Sequence, residues 1–134
     1  MRVLLLFLAL SGCAVAIQQG PAGIDPDPTV IGQGVVPDNE ILISRASNIG
    51  FLPNVATSPT LFLNGDEVGV CRVGYPVLLR VPDGTWTITA STSRGQVNQE
   101  VRVSGGEAVI LRCGTNPVPS LGPKPVLTIV TPAP

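Results

Sequence analysis

Thr60-Leu61-Phe62-Leu63-Asn64-Gly65-Asp66-Glu67-Val68-Gly69-Val70-Cys71 is the stretch that decides the fold class. A short apolar run meets Asn-Gly, and a second run returns. Both central residues of a type I′ turn need positive φ, and Asn-Gly tolerates it better than most dipeptides. The stretch therefore reads as a tight hairpin, with strands ending near Leu63 and starting near Glu67.

The same grammar continues outward. Downstream, Val77-Leu78-Leu79-Arg80-Val81 follows Pro76, and Pro82-Asp83-Gly84 is a turn. Thr85 to Ala90 alternates with period two, which puts Trp86, Ile88 and Ala90 on one face. Val101-Arg102-Val103 alternates again, Gly105-Gly106 turns, and Ala108 to Cys113 completes the set. Upstream, Glu40 to Ser44 is a compact apolar run, followed by a loop over residues 46–59. Every run has strand length, and none carries a helical period. The expectation is an all-β domain over residues 38–114, a small antiparallel β-sandwich of about seven strands.

The domain is flanked by two Pro-rich segments. Residues 13–37 include Gln18-Gln19-Gly20-Pro21 and Asp25-Pro26-Asp27-Pro28, and read as a flexible tether. Residues 115–134 read as a tail with one β-prone island, Val126 to Val130. That island would add an edge strand either to its own sheet or to a partner's.

At the N-terminus a positive Arg2 precedes the apolar run Val3 to Leu10, then Ser11-Gly12-Cys13. This is the layout of a secretory signal, with an apolar core too short to span a bilayer. Leu10-Ser11-Gly12-Cys13 resembles the lipobox of bacterial lipoproteins. The resemblance implies that residues 1–12 are removed and that Cys13 becomes the first residue. It also implies a diacylglycerol on the Cys13 thiol and an acyl chain on its amino group. Such an anchor holds stably, because each buried methylene contributes about 0.8 kcal/mol. In Gram-negative members an Asp after the cysteine retains the protein at the inner membrane. Ala14 here implies the periplasmic side of the outer membrane. The alternative is an ordinary signal-peptidase cut after Ala14-Val15-Ala16, which would release a soluble chain starting at Ile17.

The three cysteines fit this scheme. With Cys13 set aside, Cys71 and Cys113 remain as an even pair in an oxidising compartment, and a disulfide is expected. No C-x-x-C spacing suggests zinc or redox chemistry. With Arg2 removed, seven basic against nine acidic residues leave a formal charge of −2. The arginines are scattered and Lys124 is the only lysine, so nothing forms the basic patch that nucleic acid requires.

Leu61 to Gly69 followed by Val81-Pro82-Asp83-Gly84-Thr85-Trp86-Thr87-Ile88 resembles PEGA-type domains, in which a strand, Asn/Asp-Gly, a short return and a Pro/Gly turn recur. It is also similar to a group of small bacterial lipoproteins in which an Arg-containing strand (compare Ile43-Ser44-Arg45) precedes the hairpin. The likeness covers roughly residues 41–91 and implies an envelope binding module with no catalytic residues. The Cys71/Cys113 pair is not a mark of that family.

The chain has no histidine, which excludes Ser-His-Asp and Cys-His arrangements. Asp38, Asp66, Glu67, Asp83 and Glu107 lie at expected turns or strand ends, where turn preference explains them. Asn64-Gly65-Asp66-Glu67 is too short for a calcium loop. No metal, cofactor or catalytic residue is expected. The functional expectation is a non-enzymatic, lipid-anchored envelope protein that contacts another envelope component. One alternative is a glycan- or peptidoglycan-binding module, for which Phe51, Tyr75 and Phe62 are the aromatics on offer. Another is an accessory subunit of a secretion or conjugation machine, hinted at by the tail island.

Overall fold

A computed structural model describes residues 14–21, 23, 26–45, 58–116 and 124–130. Among these residues there are ten strands and no helix. They are β1 (Val15–Gln19), β2 (Thr29–Ile31), β3 (Asn39–Arg45), β4 (Thr60–Leu63) and β5 (Asp66–Val70), then β6 (Val77–Val81), β7 (Gly84–Thr92), β8 (Gly95–Val103), β9 (Ala108–Asn116) and β10 (Lys124–Val130). Two sheets form, one ordered β10-β9-β3-β6-β1-β2 and the other β5-β4-β7-β8. All pairings are antiparallel except β3 with β9, which run parallel.

The sheets pack face to face by alternation. Ile41, Ile43, Val77, Leu79, Val81 and Leu111 point inward from the six-stranded sheet. Leu61, Leu63, Val68, Ile88, Ala90, Val101 and Val103 meet them from the other. Each fully buried aliphatic side chain contributes roughly 1.5–3 kcal/mol relative to exposure, so this layer is the main source of stability.

The Asn64-Gly65 hairpin forms as expected. Leu63 pairs with Asp66 across a two-residue loop, with φ of 47° at Asn64 and 92° at Gly65. The turn is also docked. Asn64 N donates to Thr87 O at 2.8 Å, and Thr87 N donates to Asn64 Oδ1 at 2.8 Å. Trp86 packs against the core cluster with Ile88 and Ala90 on the same face, and its indole N–H donates to Pro82 O at 3.0 Å.

Three expectations need correction. The strands number ten, not about seven. The sandwich extends beyond residues 38–114 in both directions. Most consequentially, the stretch read as a tether is part of the sheet: β1 lies between β2 and β6. Val15 and Ile17 pack against the core, while Ala14 and Ala16 are buried. Prolines and glycines mark the chain reversal that follows β1 rather than a free linker. Pro26 folds back against Gly20, and its carbonyl accepts a hydrogen bond from Gln18 Nε2 at 2.7 Å.

The tail island joins its own sheet. β10 pairs with β9 from Lys124↔Asn116 to Val130↔Ile110, and Leu127 is buried beside Cys113. Deleting residues 117–134 should therefore destabilise the domain by about 2 kcal/mol from the loss of Leu127 burial alone. A thermal melt of the truncated chain reads this directly; an unchanged melting temperature would mean that β10 adds nothing to the fold.

Candidate functional site

Cys13 itself lies outside the described residues, as do residues 1–12, expected to be a signal segment, and Phe51. The next residue, Ala14, is fully buried. β1 begins immediately after it. Its far end is fixed by Gln19, whose side-chain amide acts as a surrogate backbone unit. Gln19 Nε2 donates to Val70 O at 2.7 Å and to Tyr75 O at 2.9 Å, and Val70 N donates to Gln19 Oε1 at 3.1 Å. This approach requires a glycine opposite: a Cβ at Gly69 would stand 2.6 Å from Gln19 Oε1 and 2.8 Å from Val77 Cγ2. The first strand thus ties the six-stranded sheet to β5 of the other.

Cys71 and Cys113 form a disulfide, with Cα atoms 6.1 Å apart. Cys113 is on β9 and Cys71 follows β5, so the bond staples one sheet to the other. Arg45 reaches across the same region, donating from Nη1 to Cys71 O at 3.2 Å and from Nη2 to Thr115 Oγ1 at 3.2 Å. Burial lowers the pKa of the Arg45 guanidinium from its ordinary value by desolvation.

Three of the turn carboxylates gather at one end of the sandwich around Asn39, the only buried polar residue among those described. Asn39 Nδ2 donates to Val81 O at 3.0 Å and to Asp83 Oδ1 at 2.7 Å. Its Oδ1 accepts from Gly106 N at 2.7 Å and from Glu107 N at 3.1 Å. Asp83 Oδ1 also accepts from Gly105 N at 3.3 Å, and Glu107 Oε1 from Ser104 N at 3.0 Å. Asp38 is adjacent in sequence. The oxygens of Asp83 and Glu107 are thus engaged with turn amides, and the arrangement is a brace between the start of β3 and two turns. Sequence reading singled out the carboxylates and missed Asn39, because its role comes from burial and not from local pattern. Asp66 and Glu67 stay exposed on the β4–β5 hairpin. Among the described residues no three of His, Cys, Asp and Glu come together as metal ligands.

The aromatics do not converge. Tyr75 carries the Arg72 guanidinium over its ring at 4.4 Å from the centroid, Trp86 belongs to the core, and Phe62 stands half-buried on β4. Exposed apolar residues do gather, at the β1 start. Val15 pairs with Ile31, which is about half exposed, as is Val30, and Val35 is 83% exposed.

Comparison of the chain with protein-family models, with characterised proteins and with solved structures finds no match in any of the three.

Proposed function

We propose that the protein is a non-enzymatic lipoprotein of the bacterial envelope, anchored through diacylglycerol on Cys13, whose sandwich contacts another envelope component. The observation that carries the anchoring is the position of β1. A cut before Ile17 would remove Ala14, Val15 and Ala16, which hold two buried positions and the pairing to Ile31, Val30 and Arg80. A cut before Cys13 leaves the strand whole. The lipobox-like Leu10-Ser11-Gly12-Cys13 and the Cys71–Cys113 disulfide, a bond of oxidising compartments, support the same reading. Ala14 after the cysteine favours the periplasmic side of the outer membrane.

Intact mass of the protein from the membrane fraction tests the proposal. The expected species starts at Cys13 and carries the mass of two or three acyl chains. A soluble chain starting at Ile17 would refute it. Co-purification from detergent-solubilised envelopes then identifies the contacted component.

A further inference from the structure

We propose that the anchored sandwich lies directly on the bilayer, with its β2 edge down and Val30, Ile31 and Val35 in the boundary between headgroups and acyl chains. The inference rests on anchoring at Cys13 and adds to it the placement of the folded domain.

The first ground is the missing spacer. Consecutive Cα atoms are about 3.8 Å apart across a peptide bond. Cys13 is joined to Ala14, and Ala14 is buried at the entry to β1. A lipid on Cys13 is therefore one residue from the sheet, and no flexible segment lifts the domain away from it.

The second ground is where the exposed apolar residues sit. β2 pairs with β1 so that Ile31 lies opposite Val15 and Val30 opposite Ala16. β2 is the outermost strand of its sheet, and all three of its residues are exposed. From Ile31 the chain crosses to β3 at the same end of the sandwich. There Val35 borders a depression shared with Pro82, Asp83, Gly105 and Gly106. Three of the five large hydrophobics that are exposed among the described residues thus lie on β2 or at the end of the sandwich where β1 starts; Val73 and Ile129 lie elsewhere. A cluster of this kind next to a lipid attachment point fits a lipid surface.

The third ground is charge. Arg80 is paired with Glu40 at 3.5 Å, and the same end carries Asp38, Asp83 and Glu107, with Asp66 on the nearby hairpin and Arg102 near the end of β8. The balance is acidic, so the matching surface is zwitterionic.

The test uses the full mature protein in vesicles of phosphatidylcholine and phosphatidylethanolamine with brominated acyl chains. Single tryptophans report depth in Val35→Trp and, at the opposite end, Val73→Trp, after subtraction of the Trp86 signal of the parent protein. Both positions are exposed, so either variant should fold. Insertion to roughly 5–10 Å predicts quenching of Val35→Trp by about twofold or more, with Val73→Trp changed by less than about a tenth. If intact mass shows acylated Cys13 but neither tryptophan is quenched, the domain stands off the bilayer and the placement is wrong while the anchoring holds. Equal quenching at both ends would also overturn the placement. Absence of acyl mass on Cys13 would remove both readings together.

Discussion

Replacing Cys71 and Cys113 together by alanine should destabilise the protein by about 4 kcal/mol and lower its melting temperature by roughly 15–20 °C. The two residues are 42 apart in sequence, and their bond removes the entropy of that loop from the unfolded chain. The native state needs little rearrangement to lose it, since both side chains already sit in the apolar layer between the sheets. Urea unfolding of the double variant, compared with the oxidised parent, gives the difference. A loss below about 1 kcal/mol would mean that the staple adds little restraint beyond the packing around it. Adding reductant to the parent protein should shift its midpoint in the same direction.

Asn39→Leu should be nearly as damaging, at about 3 kcal/mol. Leucine fits the volume but leaves Val81 O without its side-chain donor and takes the acceptor from Gly106 N and Glu107 N. Net contributions of about 1 kcal/mol per hydrogen bond, plus the penalty for a buried unpaired carbonyl, lead to that figure. The neighbouring change Glu40→Gln is the control. It breaks the Arg80 contact on the surface, where ion pairs contribute little, and should move stability by less than about 0.5 kcal/mol. Equal effects from the two changes would show that the Asn39 brace is no more than surface structure.

The elements that local pattern encodes were legible in the chain. Thr60–Leu63 and Val77–Val81 occur with the bounds their composition implies, and the Asn64-Gly65 turn and the Cys71–Cys113 pair are where the sequence puts them. β7 and β8 run longer than their apolar cores, because Thr92 and Gly95 close a further hairpin whose turn residues, Ser93 and Arg94, carry no strong turn signal. β1 was hidden for a different reason. It is only five residues long and partly polar, and its last residue is a glutamine whose partners are more than fifty residues away. Only the absence of a side chain at Gly69 makes room for that amide, and nothing near Gln19 signals it. The parallel pairing of β3 with β9 was equally invisible, since each strand reads alone as a buried run. At the Asn39 end, the carboxylates could be named from turn chemistry, but the residue that organises them could not.

The parallel pair also governs how the chain reaches its structure in time. Glu40 lies opposite Ala108, and Ala16 lies opposite Arg80, so the middle of the larger sheet is made of segments that are far apart along the chain. Closing such long loops precedes the contacts that reward it, and topologies of this sort fold in milliseconds to seconds rather than microseconds. As the chain is synthesised, the N-terminal strand β1 emerges well before β6 exists to receive it. It must wait as an open β-prone ribbon until Val77–Val81 has followed. The smaller sheet consists of two hairpins, β4–β5 and β7–β8, joined by the pairing of β4 with β7, so each half can form locally before the larger sheet assembles on it.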